Sequence, residues 1–178
     1  PFHHSVLLEE VCEFFELPGK KVIVDCTLGL GGHAEKILQN AAKDVQYIAF
    51  DVDDDNLKFA QNRLLPFADR TTFVRNNFSA LAEEMKNLKV RGIDAILLDL
   101  GLSSPQVETA EKGFSFLREG PLDMRFDKSK ELTAAEVINN YSEKELIRIL
   151  KEYGEEFQAR KIVKEILVRR RTRKFKTT

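Results

Sequence analysis

The sequence predicts a doubly wound, mostly parallel α/β sheet followed by a helical unit, and three observations point there. Short apolar runs alternate with helical patterns at a spacing that crossover connections accommodate. These runs are apolar on both faces, as in parallel strands covered by helices on either side. Beyond Pro105 such runs stop, and helical patterns carrying capping signals take over.

Taken in order, Val6, Leu7, Val11, Phe14 and Phe15 mark an amphipathic helix starting at Ser5, which Pro18-Gly19 stops. Strands are expected at Val22 to Cys26, Tyr47 to Asp51, Thr72 to Val74 and Ala95 to Leu100. Helices are expected between them at His33 to Asn40, at Asp54 to Leu65, and from Ser79 through Leu81, Met85 and Leu88. Strand, helix, strand at this spacing implies right-handed crossovers. The glycines and charges of EKGFSFLREGPLDMRFD (Glu111 to Asp127) describe an ordered but irregular loop. After it, Thr133 with Glu136 and Ser142 with Glu145 have capping-box spacing, and the helix after Ser142 carries Leu146, Ile147, Ile149 and Leu150 and can end at Gly154. A last helix uses Phe157, Ile162, Val163, Ile166 and Leu167. A soft boundary near Gln106 divides an α/β unit, 1–106, from a loop and helical unit, 107–178.

At 178 residues with 43% hydrophobic content, the chain supports one well-packed domain with or without an appendage, which excludes a disordered tail. The 29 acidic and 28 basic side chains cancel, so a nucleic-acid surface must come from local clustering. RRRTRKFK (Arg169 to Lys176) is such a cluster, and it equally suits a solvated helix end. Cys12 and Cys26 lack metal-site spacing and read as reduced thiols, so no metal is expected. No apolar stretch approaches 18 residues and PFHHSVLLEE lacks the cationic start of a signal peptide, so a cytoplasmic protein with no membrane partner is expected. The sequence does not specify an oligomeric state.

In an open parallel sheet, ligands bind beyond the carboxyl ends of the strands. The first strand end gives Asp25, then Gly29, Gly31 and Gly32, which let backbone approach a ligand closely. The second gives Asp51, placed to accept from ribose hydroxyls. The third gives Asn77 and Phe78, whose ring could pack against a purine. The fourth gives Asp99, an acid closing the apolar run AILL, which needs a partner or a function. Together they describe a nucleoside-shaped site. A dinucleotide is the rival occupant, since Gly29, Gly31 and Ala34 satisfy the tolerant form of its glycine fingerprint. Asp25 favours S-adenosylmethionine over NAD, because a carboxylate repels a pyrophosphate and pairs with an amino group. Each residue also has a plainer reading: the glycines as a tight turn, Asp51 as part of a helix cap, Phe78 as core.

These residues sit in longer strings. HHSVLLEEV (His3 to Val11), DCTLGLGGH (Asp25 to His33), FDVD (Phe50 to Asp53), NFSAL (Asn77 to Leu81) and ILLDLGLSSPQ (Ile96 to Gln106) run along the first unit. GFSF (Gly113 to Phe116), GPLDMRFD (Gly120 to Asp127) and YGEE (Tyr153 to Glu156) follow. In these strings the sequence resembles the bacterial 16S ribosomal RNA cytosine-N4 methyltransferases of the decoding site, which also have mitochondrial relatives. DLGLSSPQ and PLDMRFD are far more specific than any glycine loop. The resemblance implies a class I S-adenosylmethionine-dependent, Rossmann-like fold with a helical insertion, and cofactor contacts at Gly31, Gly32, His33, Asp51, Phe78, Asp99 and Gln106. It implies a cytidine of 16S rRNA within the small ribosomal subunit as substrate. Family members differ at Phe126, usually Met, and continue into further strands and a FHSLEDR-like segment. The chain is therefore expected to be a shortened one.

For the implied transfer, Asp99 is the first candidate to accept a hydrogen bond from the cytidine amino group, with Ser103 and Ser104 as orienting neighbours. Many amino-methyltransferases carry a D/N-Pro-Pro-aromatic motif at this strand end, where this chain has DLGL. The base must leave its stack, and Phe114, Phe116 and Phe126 either line its pocket or pack within their own loop. His3 and His4 read as surface or capping residues. A methyltransferase of another substrate and a non-catalytic RNA-binding relic remain alternatives.

Overall fold

The computed structural model describes residues 5–178, so His3 and His4 lie outside it. Two compact units divide between Ser103 and Ser104, three residues before the expected boundary.

The first unit begins with α1 (Leu8–Phe15) and alternates thereafter: β1 (Val22–Asp25), α2 (Gly32–Asn40), β2 (Gln46–Asp51), α3 (Asp54–Arg63), β3 (Thr71–Arg75), α4 (Leu81–Asn87) and β4 (Ala95–Leu97). The strands form one sheet of order β3-β2-β1-β4, with every pair parallel. The sheet runs outward from β1 to β3 and then returns to the other side of β1, which is the doubly wound arrangement. Each face is covered. Ile23, Tyr47, Ala49 and Leu97 pack with Phe15, Ala34, Ile37, Leu38, Leu57, Ala60 and Leu64 on one side. Val24, Ile48 and Phe50 pack with Met85 on the other, joined by Leu81 and Leu88. This two-sided burial is why the strands read as continuous apolar runs. Each fully buried Ile, Leu or Phe contributes about 1.5–3 kcal/mol to the sandwich.

Several expected boundaries move. The first helix begins at Leu8 rather than Ser5, the helix after β2 ends at Arg63 rather than Leu65, and the last begins at Ala159, leaving Phe157 outside it and exposed. The fourth strand stops at Leu97 rather than Leu100, because the Asp99 N–H leaves the ladder and donates to Thr27 Oγ1 at 2.7 Å. Leu98, Leu100 and Leu102 are exposed beyond it. The third expected helix starts with a 3-10 turn, Phe78–Ala80, set by Asn77, whose side chain accepts from the Ser79 N–H.

The second unit contains α5 (Ser104–Glu108), α6 (Ala134–Asn140), α7 (Glu143–Glu152) and α8 (Ala159–Thr172). Ser142 forms the full expected capping box with Glu145. Thr133 forms half of one: it accepts from the Glu136 N–H, while the Glu136 carboxylate takes the Asn140 amide instead. The loop of residues 111–127 is held from outside by the chain's last residues. The Leu122 N–H donates to the Lys176 carbonyl at 2.9 Å, and Pro121 bridges Thr177. From inside, Arg125 forks onto Asp123 with Nε at 2.8 Å and Nη2 at 2.7 Å. Its Nη1 donates to the Lys130 carbonyl at 2.6 Å.

Candidate functional site

The order of the strands reverses between β1 and β4, and a crevice opens at such a point because the two flanking connections leave in opposite directions. The loop after β1 is stitched to both neighbouring strands at this point. The Cys26 N–H donates to the Leu97 carbonyl and the Leu28 N–H to the Phe50 carbonyl, each at 2.9 Å. The loop then turns into α2 through Gly31, whose φ of +76° strains any other residue and whose added Cβ would sit a tight 3.2 Å from Ala60 Cβ. Gly32 opens the helix, and a Cβ there would run into Ser5 Oγ.

The acids take distinct positions. Asp51, ending β2, accepts from the Gly29 N–H at 2.8 Å, the Asp53 N–H at 2.8 Å and the Asn56 amide at 3.3 Å. Burial pushes its carboxyl above the usual range, against these three donors. Asp99 lies beyond β4 with its side chain 46% exposed and Oδ2 3.9 Å from His33 Nδ1. Asp25 is different. It is 1% exposed, and its oxygens accept from the Thr27 N–H at 3.0 Å and the Tyr47 hydroxyl at 2.9 Å. Burial pushes it up to about 6 and, with the neighbouring acid adding to it, pushes the Cys26 thiol up to about 11. The carboxylate expected to meet a ligand amino group therefore lies under the loop and shapes it from below.

His33, in the first turn of α2, is 7% exposed, with Nε2 2.8 Å from the Val6 carbonyl oxygen. Phe78 follows β3 with its ring partly exposed, and Asn77 shapes its turn. Because all four strands are parallel, Gly29, Gly31, Gly32, His33, Asp51, Phe78 and Asp99 share the carboxyl edge of one sheet. Ser103 closes the first unit, while Ser104 and Gln106 begin the second in α5, where Gln106 is buried. Phe114 packs against Phe126 with centroids 5.2 Å apart and the rings tilted by 44°, so these two meet within their loop, whereas Phe116 is exposed. Of the basic run, Arg170 is spent on the carbonyls of Ile138 and Tyr141.

Sequence reasoning passed over four contributors. Thr27 stands two residues after Asp25 in the motif itself. Tyr47 is legible from register, since Ile23 pairs with Tyr47 and Asp25 with Ala49, placing the phenol diagonally beside the acid. Asn56 and the Val6 carbonyl left no signal, because their contacts arise only when α3 and the N-terminal segment close on the loop. Among the described residues, no three His, Cys, Asp or Glu side chains form a metal group, and no helix is long and apolar enough to cross a membrane.

Over 178 residues the chain is 42% identical to the ribosomal RNA small subunit methyltransferase H of Symbiobacterium thermophilum, covering 99% of this chain and 56% of that protein. Against the protein of the same name from Carboxydothermus hydrogenoformans, identity is 46% over 176 residues, with the same coverage of 99% and 56%. The chain thus spans about half the length of the curated relatives it matches. A solved rRNA methylase from Streptococcus thermophilus superposes with a TM-score of 0.45 at 22% identity, over 55% of this chain and 56% of that one. The model of the MraW methylase family matches residues 1–178, and the chain belongs to that family.

Proposed function

We propose that the protein transfers a methyl group from S-adenosylmethionine to the exocyclic N4 of a cytidine in 16S rRNA of the small ribosomal subunit, in the cytoplasm. The observation that carries this reading is the meeting of the glycine loop, His33 and Asp99 at the switch point, fixed by the Asp99 N–H on Thr27 Oγ1. The relatives, named as ribosomal RNA small subunit methyltransferases, supply the substrate class. The cytidine N4 rests on DLGLSSPQ and PLDMRFD.

The residues fit such a cofactor. Asp51 Oδ1 accepts one backbone N–H and keeps a lone pair for a ribose hydroxyl. The first-turn N–H groups of α2, beside Gly31, Gly32 and His33, suit a carboxylate. The Phe78 ring offers a face to adenine. Asp25 supports the loop through Thr27, and Gln106 is the remaining residue that the resemblance assigns to the cofactor. When bound, the cofactor supplies a sulfonium-activated methyl group. Asp99 accepts a hydrogen bond from the cytidine amino group and aims the nitrogen at that methyl, with Ser103 and Ser104 orienting the base. Alignment provides much of the acceleration, because the amino lone pair is delocalised into the ring and a weak nucleophile depends on being held in line with the methyl group.

Incubating the full-length protein with methyl-labelled cofactor and small ribosomal subunits, then analysing the bases, tests this reading. Label on N4 of one cytidine, with thermal stabilisation by S-adenosylmethionine and none by NAD, is expected. Label on a protein or a small molecule, with none on cytidine, overturns the substrate.

A further inference from the structure

The two nitrogens of one buried imidazole have separate surroundings. His33 Nε2 lies 2.8 Å from the Val6 carbonyl oxygen. A carbonyl oxygen only accepts, so Nε2 carries a proton and the neutral ring holds its lone pair on Nδ1. That Nδ1 lies 3.9 Å from Asp99 Oδ2. The Asp99 backbone is anchored on Thr27, while its side chain is 46% exposed, so the carboxylate has room to turn toward Nδ1 without moving the strand. The ring itself is fixed from the far side by the N-terminal segment, where Ser5 abuts Gly32.

Among the described residues, the charges around this ring are few. Asp25 acts on His33 from the end of β1 and Asp99 from beyond β4, while Asp51 acts on Asp25 in turn. On the flanking helices, Glu9 pairs with Lys36 and Glu35 with Arg63. His33 is therefore an imidazole with an open acceptor nitrogen between two carboxylates.

We propose that His33 is the positioning and proton-accepting partner of Asp99, its Nδ1 receiving the proton that the target amino group gives up. The proposal rests on the methyl-transfer reading above. As the amino nitrogen bonds to the methyl carbon, the carbon–sulfur bond breaks and its electron pair stays on sulfur, leaving a neutral thioether. The positive charge passes to the methylated nitrogen, which releases one proton to Asp99. Asp99 passes that proton to Nδ1 and recovers its charge, and the imidazolium between Asp25 and Asp99 later loses it to water. An imidazole ordinarily holds a proton near neutral pH, where a carboxylate does not, so the pair drains the proton farther than Asp99 alone.

The test uses the full-length protein with nitrogen-labelled histidine. Nitrogen NMR is expected to show the Nε2-protonated tautomer for neutral His33, with its Nδ1 resonance displaced in Asp99→Asn, which removes the carboxylate facing that nitrogen. An Nδ1-protonated tautomer, or an Nδ1 resonance indifferent to Asp99→Asn, overturns the pairing. In methyl transfer to small subunits, kcat of the unsubstituted protein should fall on the acid side, where a proton acceptor is already occupied. His33→Gln keeps a donor for the Val6 carbonyl. It should lower kcat about 100-fold and lose that limb of the pH profile, a larger effect than any rise in KM for the methyl donor at this cofactor-lining position. A raised KM with kcat and pH profile intact makes His33 a wall of the cofactor site and overturns the proposal. If the unsubstituted protein transfers no methyl group while the NMR coupling is present, the methyl-transfer reading fails and takes the proton route with it, and the pairing stands.

Discussion

Tyr47 donates its hydroxyl proton to Asp25 Oδ2 at 2.9 Å inside the sheet, where neither side chain meets water. Burial is the largest influence on Asp25 and holds it at about 6, with Thr27 N–H and Tyr47 working against it. A carboxyl raised in the folded state binds its proton more tightly there than in the unfolded chain. Its contribution to stability is present below the ordinary value of 3.8 and is lost as pH rises through about 6. The shift from 3.8 to about 6 corresponds to about 3 kcal/mol. Asp25→Asn removes the titration and keeps the shape. Urea unfolding at pH 4 and pH 7 should therefore show the variant gaining on the unsubstituted protein by about 2–3 kcal/mol between the two. Parallel stability curves for the two proteins would contradict the assignment.

Asp51 ties β2 to the glycine loop through the Gly29 N–H. Asp51→Ala removes this tie and the ribose acceptor together. S-adenosylmethionine affinity of the full-length protein, measured by calorimetry, should fall about 10- to 100-fold, equivalent to about 1.4–2.7 kcal/mol. Asp51→Asn, which keeps an acceptor, should lose less. Equal losses for the two would remove Asp51 from the cofactor site.

Gly113 ends the short helical turn of residues 110–112 at φ +73°, and a Cβ on it would strike the Pro121 carbonyl oxygen. Because that atom is backbone, no side-chain rotation relieves the clash. Gly113→Ala should destabilise the second unit by about 2 kcal/mol or more. Hydrogen exchange should quicken within residues 104–178 and leave the four-stranded sheet protected. Unchanged exchange in the 111–127 loop would show that the close approach is not obligatory.

Much of the first unit was legible because its signals are local. Ile23, Val24, Tyr47, Ile48, Ala49 and Phe50 are buried from both sides, and burial on both faces leaves its mark in every residue of a strand. Ser142 and Glu145 were readable for a related reason, since a capping box spans only four residues. Thr133 misled because Asn140, one turn further along α6, competes for the same Glu136 carboxylate.

Asp25 marks where local reading ran out. A carboxylate at the end of a strand looks like a ligand group in sequence. Whether it faces the crevice or the core depends on pleat and register, and here the register sets it beside Tyr47 under the loop.

By itself, the sequence determined the alternation of strands and helices, the carboxyl edge on which Asp51, Phe78 and Asp99 lie, and the family. Only the tertiary structure decided that β4 ends early on Thr27, that Asp25 turns inward, and that Val6 holds His33 with Nδ1 toward Asp99. The division follows from distance along the chain. Periodicity and caps are set by neighbours within a turn or two, whereas these three contacts join residues 22 to 72 positions apart, and only the completed packing brings them together.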